Sequence, residues 1–353
     1  SVPIFANIST TNLNFEIKDA NIKYIFVDAQ DRIADIENEN KDMVFITHNF
    51  CIKEENFYNY DEILVTGKQI CDQQGFSPHV PKEDELFSII YTSGNTGTPK
   101  GVMLTHRNII SQLQDINQLI MLQQNETILS LLPLAHIFER TVMSYYLSRG
   151  VSIYFVDEIP NVGNLLKVVK PTMLTAVPRL LEKIFNKIKM NILAKPLISR
   201  MIATLAFNYA LKENMNKRSI LFNIYDKVVY SKLREIFGSR VTKLVSGGAP
   251  LPKEIAQFFV NIGVPVFQGY GLTEFSPVIS TNHPNSNVIG SSGRVIPSAN
   301  IKLSENDELL VKGPSIMKGY LNQPELTAAT IDKQGWLHTG DVAHIDGQGY
   351  LFI

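Results

Sequence analysis

The chain has few of the features that mark several common protein classes. Its two cysteines, Cys51 and Cys71, lie far apart and form no metal or redox motif, which favours a reducing, cytoplasmic compartment. No apolar run approaches the length of a membrane-spanning helix. Lys and Arg number 33 against 34 Asp and Glu, and this net charge of −1 provides no basic footprint for nucleic acid.

Familiar catalytic motifs are missing as well. The sequence has no G-x-S-x-G elbow, so a serine hydrolase is not expected. Its seven histidines are scattered without H-E-x-x-H or a paired metal-ligand spacing. With 353 residues, of which 44% are hydrophobic, the chain is still long enough for a large core and two or more structural units.

The most informative segment that is present is Tyr91–Gly101, which contains three glycines, four Ser or Thr hydroxyls and one lysine. Glycines let backbone N–H groups converge on one point, and the hydroxyls and Lys100 add donors and charge, so the segment predicts a polyphosphate-binding loop. It is not a Walker loop, because two residues separate Gly97 from the lysine. A strand, Gly101–Leu104, is expected next and a helix begins only at Thr105, so the loop would lie between two strands. The alternative is a mobile polar hairpin.

Strand and helix patterns alternate from Leu86 onward, which predicts a mostly parallel sheet with helices on both faces and ligands at the carboxyl ends of the strands. The first 80 residues predict short strands at Tyr24–Asp28, Met43–Thr47 and Ile63–Val65. After about Gly290, short alternating strands predict a small antiparallel subdomain. We therefore expect an α/β part over 1–290 and a β-rich subdomain over 291–353.

Two glycine-rich segments follow predicted strands of this sheet. Ser246–Leu251 places adjacent glycines where a flat ring could approach the backbone, although a plain strand–helix turn would look the same. In Gln268–Glu274, Tyr270 between two glycines can present its face to a purine, and Thr273 can donate to a phosphate. Glu274 can hold Mg²⁺, which needs one or two carboxylates beside phosphate oxygens. As an alternative, Glu274 could cap a helix.

Two further segments supply single polar side chains. In Trp336–Asp341, the aspartate can accept two hydrogen bonds from a ribose diol, or it can be an ordinary turn residue. In Leu132–Arg140, His136 lies among apolar residues. A histidine packed in the core is one interpretation, and a substrate contact or gate is the other.

The ordered set YTSGNTGTPKG, LPLAHIFER, SGGAPL, QGYGLTE and WLHTGD resembles the adenylate-forming acyl-CoA synthetases over essentially the whole chain. LPLAHIFER, the segment Val177–Lys183 and the long helical insertion after it are similar to the long-chain fatty-acid CoA ligases in particular. The resemblance implies an α/β fold corresponding to the family's large N-terminal domain. It also implies that ATP and Mg²⁺ convert a carboxylate to acyl-AMP and pyrophosphate, and that coenzyme A then takes the acyl group.

The resemblance implies a role for each candidate residue. The catalytic set would be Lys100, His136, Thr273 and Glu274. The loop that holds the departing phosphates would comprise Thr92, Ser93, Gly94, Asn95, Thr96, Gly97 and Lys100. The adenine would lie between Gly247, Gly248 and Ala249 on one side and Gln268, Gly269, Tyr270 and Gly271 on the other. Thr273 would contact the α-phosphate, Glu274 would hold Mg²⁺, Asp341 would hold the ribose hydroxyls, and His136 would lie near the acyl carboxylate.

The chain departs from the family pattern in two ways. Asn95 stands where Ser or Thr is usual, a polar exchange that keeps the role. The family's opening segment and its small C-terminal domain, which carries the catalytic lysine for adenylation, have no counterpart in these residues. We therefore expect this chain to be a piece of a longer polypeptide, and we expect the piece alone to make little acyl-CoA.

Three functions remain open from the sequence. The first is long-chain fatty-acid activation, with fatty acid, ATP and coenzyme A as partners. The second is an aryl, amino-acid or carrier-protein-loading ligase of the same chemistry. The third is a shortened module that binds nucleotide or acyl-adenylate without turnover. The apolar segment Leu197–Phe207 predicts either a core helix or a peripheral contact with the inner face of a membrane.

Overall fold

The computed structural model describes residues 1–28, 30, 33, 36, 43–48, 50, 52, 55–93, 97–156, 159–213, 215, 217 and 219–353. The predicted loop residues Gly94, Asn95 and Thr96, and also Cys51, lie outside the described residues. By its contacts the chain forms two units. The first comprises Ser1–His106 with Lys318–Pro324, and the second comprises Arg107–Met317 with Glu325–Ile353. The sequence-based division at residue 290 concerns a change of fold type and stays a prediction.

The first unit begins with a small parallel sheet. Helix α1 (Thr10–Asp19) starts after Ser9, whose side chain accepts a hydrogen bond from the backbone N–H of Asn12. The next three strands pair in the order β1-β2-β3 and are β1 (Tyr24–Val27), β2 (Val44–Thr47) and β3 (Phe57–Asn59). The strands predicted at Tyr24–Asp28 and Met43–Thr47 are thereby confirmed. Their shared core contains Leu13, Ile17, Val27, Ile33, Ile36, Met43 and Phe45.

The strand predicted at Ile63–Val65 is wrong, because these residues lie within helix α2 (Tyr60–Gln74). Asn59 caps the helix by accepting hydrogen bonds from the backbone N–H groups of Asp61 and Glu62. The two acidic side chains of the first turn also favour the positive end of the helix dipole. These effects outweigh the β-preference of a short apolar run.

A second sheet of the first unit carries the predicted phosphate loop. Strand β4 (Leu86–Ser93) pairs antiparallel with β5 (Pro99–Thr105), and a two-residue strand, Gly319–Tyr320, borders β5. The prediction that a strand lies on each side of the segment is confirmed. The helix expected at Thr105 begins one residue later, at His106.

The second unit is built on a seven-stranded sheet, and its α/β class confirms the prediction. Strands β6 to β10 are mutually parallel, whereas β11 and β12 add antiparallel pairs at one edge, giving the order β12-β11-β10-β9-β8-β6-β7. The bounds are β6 (Thr127–Ser130), β7 (Ser152–Phe155), β8 (Met173–Ala176), β9 (Lys243–Ser246), β10 (Val266–Gly271), β11 (Val278–Thr281) and β12 (Arg294–Val295). The four residues of β8 are all buried, as expected for a strand covered on both faces.

Helices cover this sheet and supply most of its core. They are α3 (His106–Leu119), α4 (Ile137–Arg149), α5 (Val162–Val169), α6 (Pro178–Leu193), α7 (Leu197–Ala210), α8 (Ile220–Tyr225), α9 (Ser231–Arg234) and α10 (Lys253–Asn261), with a π-helical turn at Asp226–Tyr230. In α10, Ile255, Phe258 and Phe259 are buried, as expected for apolar residues at helical spacing. Among the described residues, no helix is both long and apolar enough to cross a membrane.

Antiparallel strands follow residue 290. Strands β13 (Asn300–Leu303), β14 (Glu308–Lys312) and β16 (Leu337–Val342) form one sheet. Strand β17 (His344–Ile345) pairs with β18 (Leu351–Phe352). The strand Gly319–Tyr320 of the first unit is β15 in chain order. One further helix, α11 (Pro324–Thr330), precedes β16. Strands β16 and β17 are separated at Ala343, whose N–H donates to the carbonyl of Asp307.

Candidate functional site

The β4–β5 hairpin brings the described ends of the predicted phosphate loop together. Thr92 pairs with Lys100 and Ser93 pairs with Pro99, so the two strands face each other up to the loop. Ser93 and Gly97 are exposed, and Gly97 has a φ of 85°, a conformation that glycine adopts without strain. The described residues on both sides of the loop, Ser93 and Gly97, are therefore open to solvent.

In strand β5 of this hairpin, Lys100 lies beside an aromatic side chain. Its ammonium lies 5.6 Å from the ring centroid of Tyr320 in the adjoining strand. The next residue must be small, because a Cβ on Gly101 would lie 3.1–3.2 Å from Ile89, Leu321 and the ring of Tyr91. The strand that carries the lysine is thus packed closely on both sides, while the lysine itself is only partly buried.

In the second unit, the end of β10 is shaped by two glycines. A Cβ on Gly269 would lie 3.3 Å from the carbonyl oxygen of Ser280, and a Cβ on Gly271 would lie 1.9 Å from that of Pro277. The register with β11 shifts between Tyr270 and Gly271, which is a bulge. The glycines therefore allow the strand to turn against β11 while Tyr270 stays between them.

The side chains of Tyr270 and Asp341 are brought together by the fold. The Tyr270 hydroxyl donates to Oδ2 of Asp341 over 2.6 Å, although the two residues lie 71 positions apart. Burial, this hydrogen bond and the aspartate charge raise the pKa of Tyr270, and the charge of Glu274 contributes in the same direction. The phenol is therefore neutral at physiological pH, its ring orientation is fixed, and two carboxylates lie near it.

Two buried polar atoms at this end of the sheet have no hydrogen-bond partner among the described residues, namely Oε1 of Gln268 and Oγ of Ser246. Gln268 in β10 is the register partner of Ser246 in β9. Buried polar groups are rarely left without a partner. Neither atom is exposed to solvent, so a purine amine would reach them only after a side-chain movement at this strand end.

The glycines after β9 leave the backbone uncovered at the carboxyl end of that strand. Gly247 lies against the ring of Phe138, whose atoms would be 3.4 Å from a Cβ at this position. Gly248 has a φ of 83°, and it is exposed together with Ala249. A flat ring could therefore approach the backbone of these two residues.

His136 is an exposed helix cap rather than a core histidine. It precedes α4, and its Nδ1 accepts the backbone N–H of Phe138 over 3.2 Å, which leaves the proton of the neutral ring on Nε2. Partial burial lowers the pKa of His136, so the ring is neutral at physiological pH. Nε2–H is thus a donor that could face an acyl carboxylate.

A buried carboxylate next to this cap was not singled out from the sequence. Glu139 is fully buried and accepts hydrogen bonds from Ser130 of β6 at 2.6 Å and from Thr175 of β8 at 2.8 Å. Burial raises the pKa of Glu139, and the two hydroxyl donors oppose this shift. Its position three residues after His136 in LPLAHIFER was the available signal, because an acidic residue in the first turn of a helix tethers that helix end.

Within the second unit, the structure groups the candidates in two places. Tyr270, Glu274 and Asp341 lie around the end of β10, and the backbone of Glu274 is held by a hydrogen bond from the N–H of Met317. His136 is connected to Gly247 through Phe138. In the described part of the chain, no group of three or more His, Cys, Asp or Glu residues could hold a metal ion by itself.

The comparisons with known proteins agree with one another. The family model described as AMP-binding enzyme matches residues 1–321. A protein of Mycobacterium tuberculosis with the provisional name fatty-acid–CoA ligase fadD11 is 36% identical over 282 residues, which are 76% of this chain and 49% of that protein. Long-chain-fatty-acid–CoA ligase 5 of Mus musculus is 29% identical, and the match covers 100% of this chain and 56% of the mouse protein.

A solved structure shows the same fold. The N-terminal domain of FACL13 from Mycobacterium tuberculosis superimposes with a TM-score of 0.70 over 99% of this chain and 79% of that domain, at 21% sequence identity. The chain spans about half the length of the two curated relatives. The matched regions therefore correspond to one large part of longer proteins.

Proposed function

Because this chain belongs to the AMP-binding enzyme family, we propose that it is the nucleotide- and acyl-binding part of a fatty-acid–CoA ligase. The complete protein would join a fatty acid to ATP, release pyrophosphate and transfer the acyl group from acyl-AMP to coenzyme A. The observation that carries the proposal is the hydrogen bond between Tyr270 and Asp341 beside Glu274. It supports the proposal because an aromatic face and two carboxylates lie close together, and a nucleoside phosphate could use both.

The nucleoside would be held within the second unit. The ring of Tyr270, fixed by its hydroxyl, offers a stacking face, and Gly248 and Ala249 leave open backbone for the base. After a side-chain movement at this strand end, the partnerless Gln268 Oε1 and Ser246 Oγ would accept or share the base's donors. Asp341 engages Tyr270 through Oδ2, and its carboxylate has further acceptor capacity for ribose hydroxyls.

The phosphates would be met by charge and by hydroxyl donors. Thr273 and Glu274 form a short 3-10 turn directly after β10, where a phosphate on the bound nucleoside would lie. Glu274 would give one carboxylate ligand to Mg²⁺ bound together with the phosphates of the nucleotide. Bound Mg²⁺ supplies charge neutralisation of the phosphate oxygens. The hairpin residues Thr92–Lys100 are proposed for the departing pyrophosphate on the strength of their composition and family motif.

Little acid–base chemistry is required of these residues. A fatty-acid carboxylate is already an anion, so its attack on the α-phosphorus needs positioning and charge stabilisation rather than a general base. His136, neutral and capping α4, would donate from Nε2–H to the carboxylate and orient it. The small C-terminal domain of the family would bring the catalytic lysine. For the present chain we propose the predicted division into an α/β part over 1–290 and a β-rich subdomain over 291–353.

A carboxylate screen on the complete natural protein tests this function. Pyrophosphate release is measured with palmitate, octanoate, benzoate and the amino acids as substrates, each with and without coenzyme A. We expect the largest ATP-dependent release with the fatty acids and thioester only when coenzyme A is present. Preference for benzoate or an amino acid would show that the substrate is not a fatty acid. Nucleotide binding without any pyrophosphate release would favour a binding module.

A further inference from the structure

Helix α3 buries two amide side chains one turn apart. Asn108 and Gln112 are 4% and 0% exposed, and their spacing of four residues puts them on the same side of the helix. Burying an amide costs free energy unless its donors and its acceptor find partners, a cost that the buried Ile109 and Ile116 of the same helix do not have. The partners that Asn108 and Gln112 bond therefore decide what this pair, which we call the α3 amide pair, does for the fold.

Gln112 bonds both ends of the short connection that follows Glu274. Its Nε2 donates to the carbonyl of Phe275 over 3.1 Å and to that of Val278 over 2.9 Å, and its Oε1 accepts the N–H of Val278 over 3.1 Å. Phe275 ends the 3-10 turn that begins at Thr273, and Val278 begins strand β11. One side chain from a helix that lies 163 and 166 positions earlier in the chain thus closes this connection.

The residue at the centre of the connection has an unfavourable backbone conformation. Ser276 has a φ of 70°, in the left-handed region that residues other than glycine rarely adopt. Its carbonyl accepts a hydrogen bond from Oγ1 of Thr141 on α4 over 3.0 Å, and its own hydroxyl donates to the carbonyl of Ser315 over 2.9 Å. All three residues are fully buried. Such a conformation persists only where the surrounding contacts hold it, and residues of this kind cluster at functional sites.

Asn108 holds a second segment against the same turn. Its Nδ2 donates to the carbonyl of Pro314 over 2.7 Å and to that of Ile316 over 2.8 Å. The N–H of the next residue, Met317, donates to the carbonyl of Glu274 over 2.8 Å. The α3 amide pair is thus connected to Glu274 twice, through the turn itself and through the segment that ends at Met317.

We propose that Gln112 is a positioning residue of the ligase reaction, which holds the turn that carries Thr273 and Glu274 in the orientation that the reaction requires. This role rests on the proposed function, in which Glu274 gives a carboxylate to Mg²⁺ and Thr273 contacts the α-phosphate. Mg²⁺ accepts little deviation from octahedral geometry, so a carboxylate on a loosened turn would be a poor ligand. Partners that orient a metal ligand without touching the metal are worth about 10- to 100-fold in metal affinity or activity. Gln112 acts in this way through the backbone of Phe275 and Val278.

Gln112→Met in the complete natural protein tests this role. Methionine fills a similar volume and makes none of the three hydrogen bonds. We expect hydrogen exchange at the backbone amides of residues 273–278 in the ligand-free protein to be about tenfold faster. Calorimetric titration with ATP, with and without Mg²⁺, should show that the gain in ATP affinity from Mg²⁺ falls about tenfold. The affinity for AMP, measured without metal, should change by about twofold at most, and kcat for pyrophosphate release should fall about 30-fold with the KM for fatty acid unchanged.

Two further variants separate positioning from loss of stability. The matched control is Asn261→Leu on α10, because Asn261 is 4% exposed and its Nδ2 donates to two backbone carbonyls over 2.8 and 2.9 Å, at the end of α7 and just after it. It should lower the unfolding free energy as Gln112→Met does and leave the Mg²⁺-dependent gain in ATP affinity unchanged. Thr141→Val keeps the size of the side chain and removes its bond to Ser276, so it should lower this gain about threefold.

Three outcomes would overturn the positioning role and leave the proposed ligase function standing. The first is unchanged hydrogen exchange at residues 273–278 in Gln112→Met. The second is faster exchange there with kcat and the Mg²⁺-dependent gain both unchanged, which would make Gln112 a purely structural residue. The third is an equal loss of the gain in Asn261→Leu. If Gln112→Met does not fold, Thr141→Val decides by the same measurements. Failure of the proposed function looks different and removes both, because the wild-type protein would then release no pyrophosphate and bind ATP no more tightly with Mg²⁺.

Discussion

The end of β10 and the β4–β5 hairpin are both candidate phosphate-handling segments, but they are built differently. Around β10, Gly271 is packed against the carbonyl of Pro277, and the Tyr270 hydroxyl is fixed on Asp341. Where the described part of the hairpin resumes, a Cβ on Gly97 would meet no described atom within 4 Å, and Lys100 contacts the ring of Tyr320. A preformed surface suits the rigid nucleoside, which must be oriented before reaction. An open strand end with a positive charge beside it suits a pyrophosphate that must leave.

Glu274→Gln should have the largest effect on the reaction. A neutral amide is a poor ligand for a hard divalent ion, so we expect fatty-acid-dependent pyrophosphate release to fall by roughly a thousandfold while the fold survives. Glu305→Gln, at an exposed turn of the β-rich part, is the control. Near-normal turnover with an unchanged Mg²⁺ dependence would remove Glu274 from the metal role.

Gly271→Ala and Gly97→Ala test the contrast in packing directly. The new Cβ at position 271 would lie 1.9 Å from a backbone oxygen that cannot move easily, so we expect a loss of about 3 kcal/mol or more in unfolding free energy. At position 97 only the φ of 85° is unfavourable, which predicts about 1 kcal/mol. Both are measured by denaturant unfolding. Equal losses would mean that the two segments are equally rigid.

Lys100→Ala should slow adenylation roughly a hundredfold while AMP affinity changes much less. The charge of Lys100 would serve the departing pyrophosphate, which AMP lacks. Adenylation rate and AMP affinity are measured side by side, with Lys68→Ala on α2 as a control for loss of an exposed lysine. Equal losses for ATP and AMP would place Lys100 elsewhere in the site.

Tyr270→Phe keeps the stacking face but removes the hydrogen bond to Asp341. We expect nucleotide affinity to fall about tenfold, because the ring and the carboxylate would no longer hold each other in place. Calorimetric titration with a non-hydrolysable acyl-adenylate measures the change, and Tyr154→Phe on β7 serves as the control. An unchanged affinity would show that the hydrogen bond does not organise the site.

The smallest expected effect concerns the unit that carries the hairpin. Burial raises the pKa of Glu16 from 4.5 to about 7, so the native state holds this proton more tightly than the unfolded chain does. Its contribution to stability is fully present below pH 4.5 and is lost as the pH rises through about 7. Glu16→Gln should therefore flatten the pH dependence of unfolding over this window by on the order of 1 kcal/mol. An unaltered pH profile would contradict the raised pKa.

The sequence predicted much of the fold because local pattern and burial agree in most elements. The apolar spacing of α10 and the run of β8 correspond to buried faces in the structure. The prediction failed at Ile63–Val65, where a three-residue apolar run carries no period and Asn59 decides for a helix. The roles of the individual site residues stay predictions.

The sequence by itself determined the chemistry of the segments: a hydroxyl- and glycine-rich loop with Lys100, an aromatic residue between glycines, and acidic residues after strand ends. Only the tertiary structure decided which of these meet. The Tyr270–Asp341 pair joins residues 71 positions apart, and Glu139 is buried between two strands by packing that no local pattern encodes. Helix α7 shows the same limit. Composition made the helix apolar on both sides, and the fold buries one side and leaves the other exposed. Whether an apolar side chain is covered depends on which neighbours the fold brings to it.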